Sequence, residues 1–369
     1  MKLLQITRDA LLKPLQIVTG IVEKRHTLPI LSNVLIEKKD GQLDLIATDL
    51  EIQVSTTCEA AGSAQEDHSL TVSARKLQDI LRSLPEDAEV VLDAQANRVQ
   101  LKAGKSRFNL QTLPAADFPM LGDAGAPLAQ IQLTQKALRE LLSLAQFAMA
   151  QQDIRYYLNG MLVVLEGQEI KVVATDGHRL SYASGPLEQA QEKREVILPR
   201  KAVLELSRLL ADTDEPVTLQ IYASQVRFRF GAVNLVTKLI DGKFPDYTRV
   251  IPTNYQKNIQ VSRALLLQAI QRAAILSNEK FRGVRWMLTT NALRISCTNN
   301  EQEEAQEELE VDYDGDALDV GFNVTYLLDV LNHVHSEEIH CAFGDANSSM
   351  LITVPNYPDY RYVVMPMRI

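Results

Sequence analysis

The residues of this chain best suited to chemistry lie in the run TDGHRL at positions 175–180. Asp176 and His178 could serve as an acid–base pair, or as two ligands of a metal ion, because a carboxylate and an imidazole supply the proton affinities and lone pairs for either task. They stand two residues apart, with no further His, Cys or Glu cluster at ligand spacing, which argues against both roles. The three cysteines, Cys58, Cys297 and Cys341, are scattered and show neither CxxC nor Cys/His spacing. They suit a reduced, cytoplasmic protein without structural zinc or a disulfide framework. No GxSxG, phosphate-binding loop or dinucleotide fingerprint occurs. The expectation is a protein that is not an enzyme, with no catalytic residue, no metal and no cofactor.

The elements around TDGHRL explain the motif better than catalysis does. Thr175-Asp176 returns as Thr48-Asp49 and as Thr298-Asn299, each time at the end of an apolar strand and without the histidine. Each copy follows a helical stretch opened by a hydroxyl residue, at Thr7, Thr134 and Ser262. Each is followed by a second strand-then-helix pattern, at residues 71–84, 196–210 and 320–334. The repeats close alike, on Phe118-Pro119, on Phe244-Pro245-Asp246-Tyr247 and on Tyr357-Pro358-Asp359-Tyr360. A period of roughly 125 residues is too long for a solenoid and right for a repeated domain. Three α+β domains are expected, at 1–125, 129–252 and 254–369, each of two β-α-β-type halves.

Local patterning agrees. Leu138, Leu141, Leu142, Ala145 and Met149 fall on one helical face, as do Leu77, Ile80, Leu81 and Leu84 behind a candidate N-cap at Ser73. Short alternating runs at 43–45, 99–101, 217–221, 227–230 and 293–295 predict antiparallel strands with one wet face. Pro14 sits inside a helical pattern and should kink it. The stretches 122–127 and 252–257, rich in Gly, Pro, Asn and Ala, are the expected joints.

With 369 residues, a 46% apolar and 23% charged composition is ordinary for a multidomain globular chain. No apolar run is long enough to span a bilayer and the N-terminus lacks a signal-peptide pattern, so no membrane partner is expected. A net charge of −9 speaks against tight nucleic-acid binding by affinity. The charge is unevenly placed, however. The third repeat carries Glu301, Glu303, Glu304, Glu307, Glu308 and Glu310; the first carries Lys76, Arg98, Lys102, Lys105 and Arg107, with Phe108 and Leu110 alternating after them. These runs are either ordinary solvated surface or the complementary ends of an arc, which could close into a ring by head-to-tail contacts.

Long motifs decide between these. QTLPAADFP (111–119), QDIRYYLNGML (152–162), VATDGHRL (173–180), KLIDGKFPDY (238–247), AAILSNEKFRGVR (273–285) and YVVMPMRI (362–369) resemble, in order and over the whole chain, the bacterial DNA polymerase III β subunits, the sliding clamps, and most closely their gammaproteobacterial members. The resemblance implies three DNA-clamp domains in a head-to-tail homodimeric ring, with antiparallel sheets outside and helices lining the inside. It implies a processivity factor that encircles duplex DNA irrespective of sequence. Its partners would be a second copy of itself, the polymerase III α subunit, the clamp loader, and other polymerases and repair proteins carrying short peptide motifs.

Residue by residue, the family's dimer contact maps to Phe108 and Leu110 against Ile275 and Leu276. Lys76, Arg98, Lys105 and Arg107 would face Glu301, Glu303, Glu304 and Glu307; one acidic family position reads Gln306. The family's DNA loops map to Lys24 and Arg25 and to Gln152, Tyr156 and Tyr157. Candidate lining cations on exposed helix faces are Arg75, Arg82, Arg200, Lys201 and Arg208, which could equally be solvated surface. The family's peptide groove maps to Arg155, Leu158, Thr175, Gly177, His178, Arg179, Leu180, Pro245, Arg249, Val250, Val363, Val364, Met365, Pro366, Met367 and Arg368, with Asn323 and Tyr326 on its rim. A ring retains DNA by topology, so a mildly basic lining is compatible with the −9 charge.

Overall fold

Alternate-residue burial is what a strand with one face on a core requires, and it recurs along the chain, for example in Arg98–Ala103 and Ala292–Thr298. The computed structural model describes residues 2–23, 28–39, 41–59, 67–95 and 97–368. Lys24 and Arg25 lie outside them.

The first repeat runs β1 (Lys2–Thr7), α1 (Arg8–Val18), β2 (Asn33–Lys39), β3 (Gln42–Thr48) and β4 (Ile52–Glu59). It continues with β5 (His68–Ser73), α2 (Ala74–Ser83), β6 (Glu89–Gln95), β7 (Arg98–Ala103) and β8 (Ser106–Gln111). The second has β9 (Ala129–Thr134), α3 (Gln135–Ala145), the long β10 (Gly160–Thr175) and β11 (Arg179–Pro199), α4 (Arg200–Leu209), β12 (Pro216–Ile221), β13 (Gln225–Phe230) and β14 (Val233–Lys238). The third has β15 (Lys257–Ser262), α5 (Arg263–Ala274), β16 (Gly283–Thr289), β17 (Ala292–Thr298) and β18 (Glu304–Glu310). It ends with β19 (Leu318–Asn323), α6 (Val324–His333), β20 (Glu338–Phe343), β21 (Met350–Val354) and β22 (Tyr357–Val364).

Every ladder between these strands is antiparallel. The expected β-α-β halves are therefore corrected to strand–helix–three-strand halves that exchange their first strands. In the first repeat β1 pairs with β6 and β5 with β2. In the third, β15 pairs with β20 and β19 with β16. A helix between parallel strands must cross over a sheet; here it hands the chain between two sheets.

The repeats join by strand edges. Pairing of β4 with β14 fuses two four-stranded sheets into the eight-stranded order β5-β2-β3-β4-β14-β13-β12-β9. Pairing of β11 with β22 gives the six-stranded order β10-β11-β22-β21-β20-β15. Two four-stranded sheets stay unfused, β1-β6-β7-β8 and β18-β17-β16-β19, with β1 and β8 as the edges of one and β18 and β19 as those of the other. Because the sheets continue across the joints, compactness does not follow the sequence repeats. One unit comprises residues 1–138 and 204–239, the other 139–203 and 240–369, so the middle repeat is shared between them.

Each helix buries one stripe. Leu11, Leu12, Leu15 and Val18 of α1 pack on the sheet of β3 and β4, and the helix runs unbroken through Pro14. In α2, Ala74, Leu77, Gln78 and Leu81 are buried while Arg75, Lys76 and Arg82 face water. Ser73 occupies the N-cap position of α2 without a side-chain bond; Thr134 and Ser262 do cap, accepting from the amides of Ala137 (3.1 Å) and Leu265 (3.4 Å). Met149 lies past the end of α3, after a 3-10 turn at Gln146–Ala148, and is buried there. No helix among the described residues is long and apolar enough to cross a membrane.

Candidate functional site

TDGHRL forms the turn between β10 and β11, and its carboxylate is already engaged. Asp176 Oδ1 accepts from the amides of His178 (2.9 Å) and Arg179 (3.1 Å), and Oδ2 accepts from Arg179 Nε at 3.1 Å. Thr175 Oγ1 donates to the Arg179 carbonyl at 2.5 Å and accepts from the Gly177 amide at 3.0 Å. The first repeat builds the same turn: Thr48 Oγ1 bonds the Ile52 carbonyl, and Asp49 Oδ1 accepts from the amides of Glu51 and Ile52. In the third, Asn299 Oδ1 accepts from Glu301 and Glu303. The recurring dipeptide is a hairpin lock, an Asx-type turn in which a side chain supplies the acceptors the sheet has run out of. Among the described residues no group of three His, Cys, Asp or Glu could hold a metal ion. The thiols are unsuited to nucleophilic work: burial pushes Cys297 up to about 11 and Cys341 up to about 12.

Gly177 takes φ +90°, and a Cβ there would meet Arg155 Nη2 at 3.0 Å. Gly177→Ala should therefore destabilise the second unit by about 1–2 kcal/mol, through left-handed strain alone. A denaturant midpoint unchanged from wild type would refute this reading of the turn.

Beside the lock lies a pocket of ≈ 490 Å³. Its floor is apolar: Leu158, Leu180, Phe244 and Val363 belong to one buried cluster with Leu162, Val164 and Val173. Arg155, Gly177, His178, Val250 and Met365 also line it, as do Thr175, Arg179 and Pro245, all expected from sequence. Asp153 presents Arg155, whose Nε and Nη2 donate to the carboxylate at 3.0 and 2.8 Å; that bonding holds the Asp153 carboxyl down at about 2. Arg179 is buried: Nη2 donates to the Phe147 carbonyl (2.7 Å), Nη1 reaches Asp329 (2.5 Å), and the guanidinium lies over the Tyr326 ring at 4.4 Å. Such a cation, bonded on both terminal nitrogens, orders the wall of the pocket it lines.

The chain end is pinned to this wall. β22 stops at Val364, after which the Met365 amide donates to the His178 carbonyl and the Met367 amide to the Gly321 carbonyl, both at 2.8 Å. Val364 is corrected: it is wholly buried on the strand face opposite Val363 and does not reach the pocket, as period-two alternation demands. Asn323 caps α6 by accepting from the Thr325 amide, Tyr326 stacks on Arg179, and Arg249 is ion-paired to Asp246 at 3.0 Å. Those three, with Pro366, Met367 and Arg368, lie outside the lining proper. Tyr157, assigned from sequence to a DNA loop, stands in the pocket wall. Phe244, Tyr247 and Ser349 were missed; the repeated Phe-Pro and Pro-Asp-Tyr closures were the available signal for the first two, and nothing marked the third.

The Gln152–Tyr157 loop is held by Asn159, whose Oδ1 accepts from the Asp153 amide and whose Nδ2 donates to the Asp153 carbonyl. It exposes Gln152 at φ +58°, Ile154 (96% exposed) and Tyr156. Of the helix cations, Arg82 faces water, and Arg75 does so while donating to the Val22 carbonyl at 2.5 Å; Lys201 is half-buried. Two differ from expectation. Arg208 is tied to Glu205 (2.6 Å) and to the Ile17 carbonyl (3.0 Å), and Arg200 donates to the Met149 carbonyl at 3.0 Å, with burial lowering its basicity. Both guanidiniums are anchored where free ones were expected.

At the open edges, β8 presents half-buried Phe108 and Leu110, with Lys105 and Arg107 exposed before them; Lys76 and Arg98 are exposed as well. In the other unit, β18 carries exposed Glu304 and the half-buried Glu307, and Glu301 and Glu303 precede it. Ile275, just past α5, is 78% exposed, and Leu276 is half-buried. Glu307 is already bonded within the chain by Arg272 Nε and Nη2 (2.8 and 2.5 Å), which lowers its carboxyl. The expected free carboxylate at 307 is corrected accordingly.

Three α+β repeats joined edge to edge, with a locked turn beside an apolar pocket, define a clamp-type binding protein. Residues 1–122, 132–246 and 248–368 match the N-terminal, central and C-terminal domains of the DNA polymerase III beta subunit. The beta sliding clamp of Pseudomonas putida is 47% identical over 366 residues, and that of Escherichia coli 47% identical over 364, each alignment covering 99% of both chains. A crystal structure of the DNA polymerase III subunit beta from Pseudomonas aeruginosa superposes with a TM-score of 0.95 at 46% identity over 100% of both chains. The chain belongs to the DNA polymerase III β subunit family, the β sliding clamps, which are non-catalytic processivity subunits.

Proposed function

We propose that two copies of this chain close head to tail into a ring around duplex DNA, in the cytoplasm, and tether the replicative polymerase to it. The observation carrying this reading is that the edge strands β8 and β18 occupy the positions through which the other repeats join. Inside the chain β4 pairs with β14 and β11 with β22, so each repeat docks by a strand edge. β18 stands in the third repeat where β4 stands in the first, and β8 stands in the first where β14 stands in the second. The next joint in the series is β18 of one copy with β8 of another, a heterologous contact that closes by symmetry. Domain joints at residues 126–128 and at 253 fit this scheme.

Phe108 and Leu110 meeting Ile275 and Leu276 supplies the apolar part of that contact. Lys76, Arg98, Lys105 and Arg107 against Glu301, Glu303 and Glu304 set orientation and association rate, since exposed pairs contribute only about 0–1 kcal/mol each. Arg75, Arg82 and Lys201, with Lys24, Arg25, Gln152 and Tyr156, make sequence-independent contacts to the DNA backbone. The pocket takes short peptide motifs of the polymerase III α subunit, the clamp loader and other polymerases and repair proteins, which compete for it. An apolar floor with a few polar groups at its mouth suits that task. A sliding clamp from Pseudomonas aeruginosa has been crystallised bound to griselimycin, so a ligand-bound relative exists for comparison.

Loaded on nicked circular DNA by its loader and ATP, the protein should remain bound through gel filtration and be lost once the DNA is linearised. Retention indifferent to linearisation would mean affinity binding, and the ring would be wrong.

A further inference from the structure

We propose that Met365 is a reversible oxidation site that switches the peptide pocket off; this rests on the pocket reading above. Met365 is 44% exposed and lines the pocket together with Leu158, Leu180, Val250 and Val363. A guest lying on these apolar side chains must pack against its thioether. Oxidation follows exposure, and turns a flexible apolar side chain into a polar, chiral one. Of the other described thioethers, Met149, Met161 and Met350 are buried, and Met287 and Met367 are half-buried. Met120, 50% exposed, is the comparable one, and it contributes nothing to the pocket.

The backbone that carries Met365 is fixed at the pocket. The amides on either side of Pro366 are bonded, Met365 to the His178 carbonyl and Met367 to the Gly321 carbonyl, and Pro366 fixes its own φ. A sulfoxide at 365 thus sits on a backbone held at the pocket, and a guest must either bury its polar oxygen or lose the apolar contact of the thioether. The oxidant is a peroxide. One peroxide oxygen is transferred to a sulfur lone pair, the O–O bond breaks and an S–O bond forms; sulfur loses two electrons and the peroxide leaves as water. A dithiol reductase reverses the step, removing the oxygen as water and closing a disulfide on the reductase.

The experiment uses the full-length protein and, as probe, the tightest binder among synthetic peptides tiling the polymerase III α subunit. Affinity is read by fluorescence anisotropy before and after hydrogen peroxide, and sulfoxides are located by peptide mass spectrometry. The expected result is a loss of at least about tenfold that tracks the Met365 sulfoxide and is recovered by a methionine sulfoxide reductase with a thiol reductant. In Met365→Leu, whatever affinity the variant starts with should survive peroxide unchanged, and Met120→Leu should lose affinity as wild type does. A Met365 left unmodified while Met120 is oxidised would overturn the proposal. So would a peroxide-induced loss that persists in Met365→Leu, or unchanged affinity in fully modified protein. The underlying pocket reading fails separately and before any peroxide is added, if no α-subunit peptide binds, or if binding ignores removal of residues 365–369.

Discussion

Removing residues 365–369 should abolish binding of polymerase peptides, with affinity falling at least about a hundredfold, while the protein stays folded and dimeric. The size of the loss follows from what leaves with the tail. Met365 is part of the pocket mouth, and burying one such side chain against a guest contributes about 1.5–3 kcal/mol, or one to two decades in affinity. The rest comes from order: the bonds from Met365 to His178 and from Met367 to Gly321 hold the mouth in shape, and a disordered mouth must be ordered by the guest. The fold survives because β22 ends at Val364, whose pairings with Arg179 and Met350 lie upstream of the cut. Isothermal titration with an α-subunit peptide, alongside sedimentation of the same sample, gives the answer. Wild-type affinity in the truncated protein would sink the assignment of the pocket.

Replacing Ile275 and Leu276 together by alanine should yield a folded monomer. Ile275 is 78% exposed in the single chain, so truncating it costs the isolated fold little. At a closed joint each of the two side chains would bury most of its surface, contributing about 2 kcal/mol. A two-copy ring has two such joints, so the dimer loses about 8 kcal/mol, which raises the dissociation constant by about a millionfold, enough to dissociate it at ordinary working concentrations. Sedimentation equilibrium reads the mass directly, and an unchanged far-ultraviolet circular dichroism spectrum shows the fold intact. A double variant that sediments as wild type would place the joint elsewhere. Charge changes at Arg107 or Glu304 should do less at equilibrium and more to the salt dependence of association.

The repeats were legible because they are local. Thr48-Asp49, Thr175-Asp176 and Thr298-Asn299 look alike in sequence, since each must supply a side-chain acceptor at the end of a strand, and two residues suffice to do so. Helix stripes such as Leu138, Leu141 and Leu142 were legible for the same reason, a fixed period carried by neighbours. The failures were long-range. The exchange of β1 and β5 between halves pairs Ile6 with Val90 and Leu35 with Thr71, and periodicity along one strand holds no information about its neighbour. Arg208 and Arg200 looked like free cations because the carboxylate and carbonyls that hold them come from packing. Glu205 is near in sequence, but only folding buries it beside Gly20, where any Cβ would collide with the pair.

By itself the sequence determined three α+β repeats and the family, because long ordered motifs survive as words along the chain. It placed Arg155, His178, Leu180, Val363 and Met365 at one site only through that family resemblance. The tertiary structure decided which of the named residues face that site. Val363 forms its floor and Val364 does not, since adjacent residues of a strand point to opposite faces. It also decided that Asp176 is a turn lock rather than an acid, because its oxygens are already taken by three donors. And it left β8 and β18 as open edges, a property of which strands find partners, which no single strand carries in its own residues.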